Sequence, residues 1–206
     1  EISECLVGSE MCIRDRLSYS GRIDFDDRLA PVLVYACSSI GMKFTGTSLK
    51  AVIANHRSCW TNELGYFIDG EQKRFTLSSD EEKKTYTLAE GLSEGTHELL
   101  LFKRMDSCHT FTFYGFEIDD GAEVLPLPEK PKRKMEFFGD SVSCGEVSEA
   151  VAYVGKPDPE HDGEYSNSWY SYAWMTARKL NAQIHDTSQG GISLLDLSLI
   201  HISEPT

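Results

Sequence analysis

The sequence predicts two folds in tandem: a β-sandwich of the jelly-roll kind over residues 17–121, then the N-terminal part of an α/β domain over residues 135–196. Three observations carry that prediction. Between Tyr19 and Gly121, strand patterns follow one another with no helical period between them. The stretch GAEVLPLPEKPKRK then interposes three prolines, which disfavour helix and central strand alike and mark residues 122–134 as a linker. Beyond it, a short apolar strand, a helix and a second strand follow in order, which makes a βαβ unit with a parallel sheet and a right-handed crossover.

Within the first fold, APVLVYA (30–36) and SIGMKFTGTSLKAVIAN (39–55) are rich in β-branched and aromatic residues, with runs of period-two alternation. The Thr45-Gly46-Thr47 break divides the second stretch into strand, turn and strand. YFIDGEQKRFTL places Asp69-Gly70 between apolar runs, a strong short-range hairpin signal. THELLLFKR (96–104) and HTFTFYGFEID (109–119) complete the set. In the second fold MEFFG is a buried strand and SNSWYSYAWMTARKLN a helix. Trp169, Tyr172, Ala173, Thr176, Ala177 and Leu180 fall on one continuous helical face. Asn167 or Ser168 can cap its start and Asn181 its end, and AQIHDTS (182–188) is the second strand.

Composition narrows the partners. The 206 residues are 40% hydrophobic and 26% charged, as in a globular protein able to bury a core. A formal net charge of −13 argues against nucleic acid or an anionic membrane surface as partner. The one basic run, Lys130 to Lys134, is expected to be solvated linker, and no apolar run approaches the roughly 20 residues that span a bilayer. Cys37, Cys59, Cys108 and Cys144 are irregularly spaced and form no C-x-x-C pair, so buried or half-buried free thiols are expected. Residues 1–16 and 197–206 match neither the composition nor the periodicity of what they flank. SECLVGSEMCIRDR and LSLIHISEPT resemble translated library-adapter peptides at the ends of metagenomic fragments. The natural chain is therefore expected to run from about Leu17 to about Asp196, as a fragment whose export signal and compartment are not legible.

Ser141 is the residue on which function turns. In open α/β sheets reactive groups gather at the carboxyl ends of strands, and Ser141 follows the strand Met135–Phe138 directly. Gly139 permits a sharp turn and leaves room beside the hydroxyl, and backbone N–H groups past a strand end can face the anion of a tetrahedral acyl intermediate. The motif is not the G-x-S-x-G elbow, because position 143 is serine.

The block FFGDSVSCGE (137–146) resembles the first conserved block of the SGNH (GDSL) hydrolases. Together with the preceding strands, the DDGAE junction and the proline linker, it resembles carbohydrate esterase family 2. That resemblance implies a flavodoxin-like three-layer α/β domain behind the jelly roll. It implies Ser141 as nucleophile, with its own N–H as one oxyanion donor, and Asp140 as the residue that orders the loop. SQGG (188–191) matches the second block, with Gly191 as the further oxyanion donor and Gly190 as the alternative. The third donor, an asparagine, and the catalytic histidine belong downstream and are not assigned. The implied reaction removes acetyl groups from polysaccharides or oligosaccharides of the xylan and mannan type, through an acyl-enzyme and with no metal or other cofactor. Without its base, such a fragment is expected to be nearly inactive.

The remaining candidates have blander readings. Asp196 and His201 imitate an Asp-x-x-His ending at the wrong spacing, and His201 falls within the adapter-like tail. His185 is expected to be structural on its strand, His161 to sit in a solvated acidic loop, and His56, His97 and His109 to serve the sandwich. Asp158, Glu160, Asp162 and Glu164 fit no EF-hand spacing, and no metal site is expected. Two alternatives stand beside the acetylesterase. The sandwich could be a carbohydrate-binding module using Trp60, Tyr66 or Phe67, or the hydrolase could act on lipid or aryl esters. Residues 146–168 are too acidic for a lipase lid, which favours a sugar-sized leaving group.

Overall fold

The computed structural model describes residues 16–160 and 162–192. Strands β1 (Ser18–Ser20), β4 (Ser39–Thr45), β9 (Thr96–Lys103), β6 (Glu63–Ile68) and β7 (Glu71–Thr76) lie in that spatial order, and β11 (Val124–Leu125) also pairs with β4. A second sheet runs β2 (Ile23–Asp24), β3 (Val32–Leu33), β10 (His109–Ile118), β5 (Leu49–Arg57) and β8 (Lys84–Ala89). Every pairing in both sheets is antiparallel. Ile40, Met42, Phe44, Leu64 and Leu101 from the first sheet meet Leu33, Leu49, Ile53, Phe111 and Phe113 from the second in one buried core. Alternate residues of each strand face that core, which is what removes their apolar surface from water.

The hairpin expected at Asp69-Gly70 forms, with both residues left-handed at φ +51° and +85°, the geometry of a two-residue type I′ turn. β4 and β5 separate at the expected turn. The stretch 30–36, expected as one strand, contributes only Val32–Leu33, because the chain turns away at Tyr35 and passes through left-handed Cys37 (φ +62°). The linker is tied down more than its prolines suggest. Val124 and Leu125 pair with Phe44 and Lys43, Gln183 donates to the Pro131 carbonyl at 2.7 Å, and Lys130 donates to the Tyr19 carbonyl.

Two parallel strands follow, β12 (Arg133–Gly139) and β13 (Ala182–Ser188), connected through α1 (Ser141–Cys144), a long loop and α2 (Tyr172–Lys179). The helix expected over 166–181 is broken. Ser168–Tyr170 form a single 3-10 turn capped by Asn167, and Ser171 is extended (ψ 147°) and caps α2 by accepting from Trp174 N at 3.2 Å. The break rotates the buried face to Ala173, Trp174 and Ala177, leaving Tyr172 and Leu180 half exposed, where one continuous helix would have buried them. Asn181 ends the helix in the left-handed region, as anticipated. Phe102 of β9 and Ala36 and Cys37 of the β3–β4 loop pack with Trp174, Cys144 and Ile184 in a second core that joins the two-sheet unit to the βαβ unit. Phe137 turns into this core, while the adjacent Phe138 is 67% exposed.

Candidate active site

β12 and β13 end level with one another, Gly139 opposite Ser188, so the turns that follow both strands open at one sheet end. Gln189 N donates to the Gly139 carbonyl at 3.2 Å and holds those turns together. Asp140 is the N-cap of α1 and accepts from Val142 N at 3.0 Å. Ser141 is thus the first helical residue, half-buried, and among the described residues no side chain bonds its Oγ. Gly145 closes the helix at φ +76° under the Asn167 carbonyl, where a β-carbon would stand 2.7 Å from that oxygen. Gly139 leaves room for a different serine than expected. A β-carbon there would overlap Ser143 Oγ and stand 2.8 Å from Ser143 Cβ, and Ser143 Oγ in turn reaches Tyr172 OH at 2.9 Å.

Beside α1, the Cys144 thiol donates to Ser188 Oγ (3.1 Å) and Ser188 Oγ donates to Asp186 Oδ1 (2.6 Å). The Cys37 thiol donates to the other oxygen, Asp186 Oδ2, at 3.3 Å. Burial pushes both thiols up, so they act as weak donors and not as nucleophiles. Burial also pushes Asp186 up to about 6, partly offset by the Ser188 and Cys37 hydrogen bonds.

The second-block turn is held from the two-sheet unit. Gly190 N donates to Asp106 Oδ2 at 2.9 Å, and Ser107 Oγ donates to Gln189 Oε1 at 2.8 Å, both from the β9–β10 loop. The Gly190 amide is thus taken up by a carboxylate, and Gly191 follows it in the left-handed region at φ +73°. Asp106 is held in turn by His109 Nδ1 (3.0 Å) and Cys108 N (3.1 Å). Burial would raise its carboxyl, but the His109 bond, the Lys103 charge and the Gly190 amide outweigh it and hold the group below its ordinary value. Lys103, fully buried, donates to the carbonyls of Met105 (2.6 Å) and Asp106. Burial pulls it down to about 8 against the attraction of Asp106. Glu146 completes the rim. The position a Gly190 β-carbon would take is filled by Glu146 Oε1 and lies 3.2 Å from Asp106 Oδ2. Burial, with Asp106 and Asp140 close by, pushes Glu146 up to about 7.

Sequence reasoning assembled Ser141, Asp140, Gly139, Gly190 and Gly191 at this end of the sheet but missed Asp106 and Glu146. Glu146 stands inside the quoted block, whereas nothing local marks Asp106, 84 positions from Gly190. The histidines of the two-sheet unit have structural partners: His56 with Thr112, His97 with Asp69 and the Ser93 carbonyl, His109 with Asp106. His185 is exposed on β13, and His161, Asp196 and His201 lie outside the described residues. Among the aromatic candidates for sugar stacking, Tyr66 is core, with its hydroxyl on the Leu88 carbonyl, and Phe67 packs on Trp169 and Phe102. Trp60 is 36% exposed and stacks on His109. Cys59 departs from the expectation of buried thiols and is exposed. Among the described residues, no three His, Cys, Asp or Glu side chains converge as a cation site.

Residues 19–128 match the family model described as carbohydrate esterase 2 N-terminal. The chain is 33% identical over 177 residues to the cellulase/esterase CelE of Acetivibrio thermocellus, an alignment spanning 85% of this chain and 21% of that protein. It is 27% identical over 165 residues to the acetylxylan esterase / glucomannan deacetylase of Cellvibrio japonicus, spanning 77% of this chain and 44% of that protein. Among solved structures, a family two carbohydrate esterase from Clostridium thermocellum in complex with cellohexaose superposes with a TM-score of 0.77 at 30% identity. That superposition covers 86% of this chain and 52% of that one. The chain therefore spans well under two thirds of the length of each of these relatives.

Proposed function

This chain belongs to carbohydrate esterase family 2, and on that premise we propose that it carries the nucleophile half of a serine esterase that removes acetyl groups from xylan- or mannan-type polysaccharides or their oligosaccharides. In this reading residues 17–121 are a jelly-roll unit and residues 135–196 the first part of an SGNH hydrolase domain. The observation that carries it is the placement of Ser141, first residue of a capped turn at the end of β12, level with the Gln189-Gly190-Gly191 turn at the end of β13. Ser141 Oγ attacks the acetyl carbonyl, while the N–H groups of Ser141 and Gly191 receive the oxyanion. The sugar leaves as its alcohol, carrying the proton taken from Ser141, and water then releases acetate from the acyl-serine. The histidine that takes the serine proton, and the asparagine that adds a third donor, come from outside the described residues. The names of two relatives, an acetylxylan esterase / glucomannan deacetylase and an esterase paired with a cellulase, agree with a carbohydrate ester as substrate.

The test is hydrolysis of acetylated xylo- and manno-oligosaccharides, with p-nitrophenyl acetate as a reporter. With no base among the described residues the parent chain should release acetate only slowly, and Ser141→Ala is expected to remove that residual rate while leaving oligosaccharide binding, read by calorimetry, unchanged. Acetate release that survives in Ser141→Ala would sink the assignment.

A further inference from the structure

The β9–β10 loop reaches out of the two-sheet unit and ends on the turn that follows β13. Its contact there is not a surface touch. Asp106 is 5% exposed, and both of its oxygens are engaged: Oδ1 by His109 Nδ1 and Cys108 N, Oδ2 by Gly190 N at 2.9 Å. Its own carbonyl is gripped by the buried Lys103 ammonium, so the residue cannot swing away without stranding a cation. Ser107 adds a second tie to Gln189, one position before Gly190. Gly190 itself is wedged, because a β-carbon would overlap Glu146 Oε1 on one side and stand 3.2 Å from Asp106 Oδ2 on the other. A turn held by one charge-assisted hydrogen bond, one side-chain bond and a steric wedge has little freedom left, and Gly191 is its next residue.

We propose that Asp106 is the positioning residue of the turn after β13: by accepting the Gly190 N–H it fixes that turn level with Ser141, which makes the N-terminal two-sheet unit a working part of the hydrolytic site and not an appended module. The proposal rests on the acyl-transfer reading of Ser141 for its catalytic meaning and on the Asp106–Gly190 contact for its structural one. The charge is what matters to the geometry. A neutral acceptor would hold the Gly190 amide less firmly, and an oxyanion could then compete for it, letting the turn rotate as the reaction proceeds. An ionised carboxylate excludes that competitor by repulsion.

The experiment uses the full chain labelled with ¹⁵N-glycine, with amide hydrogen exchange read at Gly190 and, as a reference for the two-sheet unit, at Gly65. Asp106→Ala should speed exchange at Gly190 about tenfold or more, the scale of one lost hydrogen bond, with Gly65 unchanged. Asp106→Asn, which keeps one acceptor oxygen, should fall between the parent and Asp106→Ala. Unchanged exchange at Gly190 in Asp106→Ala, or a rise shared equally by Gly65, would overturn the proposal, the second because Asp106 would then only be supporting the fold. If Asp106→Ala does not fold, Asp106→Asn and Ser107→Ala give the same comparison. Ester hydrolysis separates this from the parent reading. Where Ser141→Ala abolishes a measurable rate, Asp106→Ala should lower kcat about 10²-fold with KM nearly unchanged, as when an oxyanion donor is misplaced. A rate indifferent to Ser141→Ala defeats the esterase reading, and the exchange data still decide whether Asp106 holds the turn.

Discussion

Arg104 and Glu149, 45 positions apart in the chain, meet side chain to side chain at 2.6 Å. Arg104 directly follows β9 and is 2% exposed, and Glu149 belongs to the long loop that follows α1. The same guanidinium donates through Nε to the Ser166 carbonyl at 2.9 Å, and Nη2, the nitrogen that meets Glu149, also donates to the Glu164 carbonyl at 3.2 Å. One planar fork therefore pins both ends of the acidic loop to the two-sheet unit, a use for which arginine is suited and lysine is not.

Replacing Arg104 should consequently loosen a loop far from it in sequence. Arg104→Met is expected to cost about 3 kcal/mol, since it strands a carboxylate and two carbonyls together. Arg104→Lys should recover little of that. Urea denaturation measures the loss, and limited proteolysis should cut first between residues 146 and 166. A variant within about 0.5 kcal/mol of the parent, the range of an ordinary surface substitution, would show that the loop holds itself.

Gly139 and Ser143 make a second coupled pair. Gly139→Ala forces its methyl into Ser143 and should cost about 1–3 kcal/mol as overpacking. Ser143→Gly removes the obstacle at the expense of the Tyr172 contact and some helix propensity. The double variant should therefore be more stable than the sum of the two single losses predicts. Simple additivity across the four melting curves would contradict the close approach.

The pH dependence follows from two carboxyls raised by burial. Asp186, completely buried, moves from the ordinary 3.8 to about 6, and Glu146 from 4.5 to about 7. A raised acid contributes stability that is complete below its unfolded value and lost as pH rises through its folded value. From Asp186 that loss amounts to about 3 kcal/mol between roughly pH 4 and 6. Glu146, only half buried, adds a smaller loss reaching to pH 7. Asp186→Asn should flatten the lower part of the stability profile and Glu146→Gln the upper part, as read by urea midpoints from pH 4 to 8. Profiles parallel to the parent's would contradict both assignments.

Much of this architecture was legible because it is local. The period-two runs of 39–57, the Asp69-Gly70 turn and the apolar strand ahead of Gly-Asp-Ser need only their neighbours in sequence to be read. The helix face was misread for an equally local reason. Ser171 serves better as a cap than as an interior residue, and its extended backbone restarts the helical period two positions after Trp169, which puts Trp174 rather than Tyr172 against the core. Asp106 was invisible because it matters only through a contact made 84 positions away, in a fold that closes one unit on the other. Glu146 could be seen but not weighed. Its importance comes from the missing side chain of Gly190, which no inspection of residues 137–146 supplies.

The exposed apolar residues of the βαβ unit have a consequence for how the chain behaves in bulk. Phe138 and Val142 are each 67% exposed, and among the described residues β12 and β13 form a two-stranded sheet whose outer backbone edges can accept another strand. Mutual repulsion between molecules that carry a net charge of −13 opposes such contacts. That repulsion vanishes near the isoelectric point of about 4.8 and is shortened by salt. Lowering the pH through the range of Asp186 and Glu146 thus adds their contribution to each molecule's resistance to unfolding while it removes the repulsion between molecules, so these two effects run in opposite directions along the pH axis.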